Sequence, residues 1–294
     1  MLKHDYTFLD LPFEEEGIPF QLPFPPSIQE RVHGALLLTS RHLFLGISAE
    51  PSEIERLSPQ QLCDAVLELY RIVQAAARRA ENSSGLQPDQ LELETTLLWP
   101  SLEYGTPASS SSKPPRQTLA ARTLHPFSKP VYRAASIPFL QAVISPSNFF
   151  PTLASMNDAR AKLKQPLPPL AAVVSKTLSK TTLAVERQAK RAKIAPSSCS
   201  LWNRFTSTAV GGTFDRLHSG HKILLSSAAL LARQRVVVGI SGDALLKKKS
   251  LASFLQPISG RIEGVHWFLS LAHGSSLQYE LIEINDPCGP AATE

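Results

Sequence analysis

The sequence predicts a parallel α/β sheet at the C-terminal end of the chain, and three observations carry that expectation. Val236-Val237-Val238-Gly239-Ile240 is a short β-branched run of the kind that is buried on both faces of a sheet. Apolar residues recur at helical spacing on either side of it, over 222–233 and 259–271. The pair Gly211-Gly212 stands where a first strand, 205–210, would turn into the first helix. With a third strand over 278–284, the order strand, helix, strand, helix, strand makes a mononucleotide-binding type of half-sheet with right-handed crossovers.

The elements follow from local pattern. The first helix has its apolar stripe in Ile223, Leu224, Leu225, Ala228, Leu230 and Leu231. In the N-terminal region, 1–104, the pattern is mixed α/β and partly irregular. Residues 1–26 hold Pro12, Pro19, Pro23, Pro25 and Pro26, which exclude regular helix and predict an extended path. An apolar run over 32–47 predicts one or two strands. Ser58-Pro59-Gln60-Gln61 is a helix start, with serine at the cap and glutamine three residues on, and Leu62, Val66, Leu69, Tyr70 and Val73 continue it. A further strand is expected over 91–99.

The region 105–204 reads as connecting chain. It contains four consecutive serines, Ser109 to Ser112, the pair Pro114-Pro115, and an apolar stretch broken by Pro138, Pro146 and Pro151. Its basic run, Arg187, Lys190, Arg191 and Lys193, fits a solvated linker better than a nucleic-acid contact or a nuclear signal. The expected organisation is therefore 1–104, 105–204 and an α/β domain over 205–294.

Composition narrows the function classes. A length of 294 residues and 43% hydrophobic content fit one large globular domain or two ordinary ones. The net charge of +5 is compatible with anionic ligands and says nothing about fold. Cys63, Cys199 and Cys288 lie far apart without metal-ligand spacing, which argues against a disulfide framework and a zinc site. Neither an apolar signal core nor a run of about 18 apolar residues is present, so a soluble, cytoplasmic protein without membrane contact is expected.

The chemistry concentrates at the glycine turn. In such sheets a ligand sits beyond the carboxyl ends of the strands, where a helix N-terminus offers free N–H groups to anions. Gly211 and Gly212 let the backbone approach a phosphate, Thr213 can donate from N–H and hydroxyl, and Gly220 leaves room for a base or ribose. His218 and His221, three apart, put both rings on one side, where they can donate to a phosphoryl group. An isolated histidine pair is more often a cap or core pair; the strand, glycines and helix around this one favour the ligand reading. Asp215 fits a turn role better than a catalytic acid. Lys247, and after it Lys249, can reach a phosphate at the same sheet edge. For Arg261, a phosphate contact and an ion pair both stand.

The run Val210-Gly211-Gly212-Thr213-Phe214-Asp215-Arg216-Leu217-His218-Ser219-Gly220-His221-Lys222-Ile223-Leu224-Leu225 resembles the opening of the eukaryotic-type phosphopantetheine adenylyltransferases. Asp243 to Lys247, Leu255-Gln256-Pro257, Arg261-Ile262-Glu263 and Asp286-Pro287-Cys288-Gly289-Pro290 continue the likeness in order, over about 205–294. The resemblance implies a Rossmann-like nucleotidyltransferase domain that moves AMP from ATP to 4′-phosphopantetheine, with Mg²⁺, giving dephospho-coenzyme A and pyrophosphate. It implies His218, His221 and Lys247 as catalytic residues. Gly211, Gly212, Thr213, Phe214, Gly220 and His221 would hold ATP, and Thr213, Lys247 and Lys249 the acceptor phosphate. An oligomer or contact with other enzymes of coenzyme A biosynthesis would fit, and nucleic acid is not expected.

The family domain continues beyond the Asp286–Pro290 loop with further strands and a nucleotide segment, so the resemblance implies a partial, C-terminally truncated domain. The sequence contains no GxxxxGK[ST] motif of the kinase that accompanies the domain in bifunctional enzymes. The rival readings are a non-catalytic nucleotide-binding homologue and a nucleotidyltransferase with another acceptor, such as a pyridine mononucleotide or a phosphoalcohol.

Overall fold

Strand β1 (His4–Pro12) opens the fold, with Thr7, Phe8, Leu9 and Leu11 buried as in a strand covered on both faces. The computed structural model describes residues 3–12, 20, 22–49, 51–84, 93–100, 130–145, 151–174, 204–246 and 254–285. Helix α1 (Pro26–Leu36) begins on Pro26, whose fixed φ suits a first turn, and buries Ile28, Val32, Ala35 and Leu36. Strand β2 (Thr39–Ser48) follows. The strands expected over 32–47 are therefore one helix end and one strand: Val32, Ala35 and Leu36 continue the helical stripe that Ile28 starts.

After a short helix α2 (Pro51–Glu55) comes the long α3 (Pro59–Ser84), as the sequence predicts. Its start is a reciprocal capping box: the Gln61 N–H donates to Ser58 Oγ at 3.2 Å, and the Ser58 N–H donates to Gln61 Oε1 at 2.9 Å. The next strand, β3 (Glu94–Leu98), lies inside the expected segment.

The region read as connecting chain holds four more elements: α4 (Pro130–Ala135), β4 (Ala142–Ser145), α5 (Pro151–Ala161) and β5 (Ala171–Val174). The fold boundary expected at 104 is thus not a boundary. The two strands are four residues each, too short to show a period. Pro130 and Pro151 are first residues of helices, where a proline is favoured, so the expected break at Pro151 is a helix start. The basic run lies outside the described residues.

These strands make one parallel sheet in the order β3-β2-β1-β4-β5. Alternation sorts its side chains. Leu9, Leu11, Leu43, Leu45, Ile47 and Leu97 pack with α1 and α3, while Phe8, Phe44, Leu98 and Val143 pack with α4 and α5. Gly46 is required by a close approach: a Cβ there would stand 2.7 Å from Phe8 Cζ.

The C-terminal elements follow the predicted order: β6 (Phe205–Gly212), α6 (Ser219–Leu231), β7 (Ala232–Ser241), α7 (Asp243–Leu246), α8 (Ile258–His273) and β8 (Gln278–Ile284). They form a second parallel sheet, β6-β7-β8. Val236, Val238 and Ile240 pack against Leu225, Ala228, Val265, Phe268 and Leu269 of α6 and α8, whereas Val237 and Ile282 on the other face are only half-buried.

The two sheets meet through α6 and α8. Leu230, Ile223 and Leu231 join the core under α3, and Leu271 joins the core under α4. The edge strand β3 is capped by the end of α8: the Trp99 N–H donates to Ala272 O at 2.7 Å. Arg133 of α4, 6% exposed, donates to Leu271 O at 2.9 Å, to Ala272 O at 3.2 Å, and to Trp99 O. The carbonyls of Leu271 and Ala272 belong to the last turn of α8, where helical partners run out, so a buried guanidinium from α4 completes the helix.

Candidate functional site

Strand β6 runs straight through Gly211 and Gly212, so the turn comes later than the glycines suggest. The left-handed residues are Phe214, at φ 51°, and Arg216, at φ 42°. Non-glycine residues there are strained by about 1–3 kcal/mol each and need surrounding structure to hold them. Gly212 provides space rather than a turn: a Cβ on it would lie 3.2 Å from the Phe214 ring, which is buried in the core below.

Two clasps hold the loop. Asp215 Oδ1 accepts the Gln256 N–H at 2.8 Å, and Gln256 Oε1 accepts the Arg216 N–H at 2.8 Å. Each side chain thus satisfies a backbone donor of the opposite loop, which gives Asp215 the structural role expected of it. Arg261, 1% exposed, is the second clasp. It donates to Thr213 O at 3.0 Å, Ser241 O at 2.6 Å and Gln256 O at 3.0 Å, with the Asp243 carboxylate at 3.2 Å. Of its two sequence readings, the pairing one describes it: its donors go to three backbone carbonyls and the Asp243 carboxylate. Gln256 is not among the site residues that the sequence predicts; its position one before Pro257, at the entry of α8, is the available signal.

His218 is the N-cap of α6, and its Nδ1 accepts the Gly220 N–H at 3.2 Å. The His221 ring stacks on it, with centroids 3.9 Å apart and planes at 28°. Phe214 supports His221 from below at 5.2 Å. Burial, and then the neighbouring His218, hold the His221 pKa below the ordinary value, with Asp215 pulling the other way. Its Nδ1 is buried and has no hydrogen-bond partner among the described residues. An unsatisfied polar atom at such a place is one that a ligand can satisfy.

The helix start therefore brings Thr213, Phe214, His218, Gly220 and His221 together beside Gly212. Gly211 is in the strand before them, with its Cβ position open to all but Gly239 O. Phe214 contributes its strained backbone, its ring being in the core. Lys247 and Lys249 lie outside the described residues, as does the Asp286–Pro290 loop. Next to the turn is a cleft of about 620 Å³ lined by Arg216, His218, Lys222 and Trp267, and also by Leu93, Glu94 and Thr95 at the start of β3. No sequence pattern could have shown that 93–95 reach this place. Among the described residues, no three His, Cys, Asp or Glu side chains converge as a metal site, and no helix is long and apolar enough to cross a membrane.

Residues 209–268 match the cytidylyltransferase-like family. In fold and in this match the region is similar to Rossmann-like nucleotidyltransferases, a class of enzymes. More particularly, the chain is similar to the phosphopantetheine adenylyltransferases. It is 43% identical over 88 residues to that of Saccharomyces cerevisiae, which covers 30% of this chain and 28% of the relative. An uncharacterised protein of Schizosaccharomyces pombe is 46% identical over 87 residues, 30% of this chain and 27% of the relative. The phosphopantetheine adenylyltransferase of Pyrococcus horikoshii is 37% identical over 86 residues, 29% of this chain and 52% of the relative. The alignments thus span about a quarter of the fungal relatives and about half of the archaeal one. No solved structure matches the chain significantly.

Proposed function

We propose that this protein transfers AMP from ATP to 4′-phosphopantetheine, forming dephospho-coenzyme A and pyrophosphate. The observation that carries the reading is the stacked pair His218 and His221, 3.9 Å apart at the first turn of α6 and behind a strained, doubly clasped loop. The similarity to phosphopantetheine adenylyltransferases supports 4′-phosphopantetheine as the acceptor.

The reaction is a displacement at the α-phosphorus. A phosphate oxygen of 4′-phosphopantetheine attacks, the bond from α-phosphorus to the bridging oxygen breaks, and pyrophosphate leaves. Little covalent work falls to the protein, so positioning and charge stabilisation dominate. Thr213, beyond the end of β6, orients the attacking phosphate. The amides at the start of α6, with Gly220 among them, and the rings of His218 and His221 receive the β- and γ-phosphates. Lys247 neutralises the reacting centre, and Lys249 is the second candidate for the acceptor phosphate.

A neutral histidine presents one N–H, and the His221 ring, with its pKa lowered, is neutral before the nucleotide arrives. Phosphate charge beside it then favours the protonated, doubly donating form, so the site gains positive charge where negative charge accumulates. Mg²⁺ fits as a companion of ATP. It is usually held by substrate phosphates and a few protein oxygens, and the histidines and amides of this site suit phosphate oxygens better than a bare cation. Thr213, His218 and His221 would then hold the ion through the phosphates they bind; bound there, it supplies charge neutralisation.

The test is product identity. The purified chain is given ATP, Mg²⁺ and, separately, 4′-phosphopantetheine, nicotinamide mononucleotide and phosphocholine. Mass spectrometry should find dephospho-coenzyme A with the first acceptor alone. An adenylylated product from either of the others, and none from the first, would refute the assigned acceptor.

A further inference from the structure

Lys222 directly follows His221, yet its side chain turns to the five-stranded sheet. It is 5% exposed. Its Nζ donates to Thr95 O at 3.0 Å and lies 3.4 Å from both Thr96 Oγ1 and Glu94 Oε2, all on β3. Behind these acceptors, His42 of β2 places Nε2 2.9 Å from Thr96 Oγ1 and stacks on Phe44 at 4.1 Å. Burial and the adjacent Lys222 ammonium lower the His42 pKa to about 3, so the ring is neutral and the Glu94 carboxylate has Lys222 as its charged partner. One cation is thus held by three acceptors of a strand more than a hundred residues earlier in the chain.

This anchor matters because of what caps α6. The cap is His218 itself, through its hydrogen bond from Gly220 N–H, and the first turn has no acidic residue. A phosphate that draws the His218 ring away also removes the cap. Something else must then keep the turn in place, and Lys222, one residue beyond His221, is tied to the other sheet from the same turn.

We propose that Lys222 is a positioning residue: β3, through Glu94, Thr95 and Thr96, holds the first turn of α6 so that His218 and His221 face the ligand together. The five-stranded sheet is then part of the transferase site and not a neighbour of it. Its consequence for turnover rests on the reaction proposed above; its consequence for the geometry of the histidines does not. A misplacement of about 1 Å in such a site can cost about a hundredfold in rate.

The experiment uses the 294-residue chain with Lys222→Met and Lys222→Arg, read in two ways. The first is the ring titration of His221 by NMR without substrate. Among the described residues, the groups that face this ring are His218, Phe214 and the Asp215 carboxylate. A frayed turn exposes and unstacks it, so Lys222→Met should raise its midpoint toward the ordinary value by about half a unit or more. Lys222→Arg should stay nearer the parent. The second is turnover, where Lys222→Met should lower kcat at least about tenfold and leave the acceptor KM within about twofold.

A folded Lys222→Met protein with the parent's His221 midpoint and the parent's kcat overturns the proposal. If Lys222→Met does not fold, Glu94→Gln replaces it, since that carboxylate is largely exposed. A midpoint raised in Glu94→Gln supports the anchor, and an unchanged one overturns it. The titration needs no acceptor. Raised midpoints in a protein that makes no dephospho-coenzyme A would therefore refute the reaction and leave the anchor standing.

Discussion

The ring of His221 stacks on that of His218 at 3.9 Å while its own buried Nδ1 has no hydrogen-bond partner among the described residues. Burial, and then the neighbouring His218, disfavour protonation of His221. An anion bound beside the pair reverses the balance. Saturating ATP should therefore move the His221 NMR titration midpoint upward. A midpoint that falls, or does not move while ATP is demonstrably bound, would mean that the phosphates lie elsewhere.

The clasp of Asp215 and Gln256 should show as coupling. Each side chain satisfies a backbone donor of the other's loop, so Asp215→Ala and Gln256→Ala should each cost about 1–2 kcal/mol in urea unfolding. The double variant should lose less than the sum, by about 1 kcal/mol, because one clasp is broken twice. Strict additivity would show the two bonds to be independent.

That clasp also marks what a sequence can and cannot reveal here. The helix starting at Pro59 is legible because a capping box and an apolar stripe are local signals. The β-branched run 236–240 and the glycines before α6 reveal the second sheet for the same reason. The first sheet is hidden by its own economy: β4 and β5 have four residues each, and their helices begin on prolines that resemble breakers. The histidine pair is visible at three-residue spacing. The partners of Asp215 and Arg261 and the anchor of Lys222 are not, since each joins segments that no periodicity connects.

Acid should destabilise the fold through two buried histidines. His42 and His273 are held neutral by burial, each with its pKa down to about 3, against an unfolded value near 6.5. Between those values the unfolded chain binds more protons than the folded one, so stability is lost as pH falls below about 6.5. The slope is about 1.4 kcal/mol per pH unit for each histidine. Urea midpoints measured from pH 7 to pH 5 should decline accordingly, and the decline should be shallower in His42→Gln. Stability that is flat over this range would contradict the buried neutral state.

Glycine substitutions should separate by available space. Gly260 lies in the first turns of α8, and a Cβ added there would meet nothing within 4 Å, so Gly260→Ala should add about 0.5–1 kcal/mol. At Gly46 the added carbon would stand 2.7 Å from Phe8 Cζ, and Gly46→Ala should cost about 1–3 kcal/mol. Equal effects of the two in urea unfolding would show that the packing around Phe8 gives way freely.

The most direct measurement is pyrophosphate release by the 294-residue chain with ATP, Mg²⁺ and 4′-phosphopantetheine, beside His221→Ala. Release should require both substrates and fall about a hundredfold or more in the variant, as expected when a charge-stabilising donor is removed. Equal release from the parent and a folded His221→Ala protein would contradict this, because the stacked histidine pair would then have no part in the chemistry.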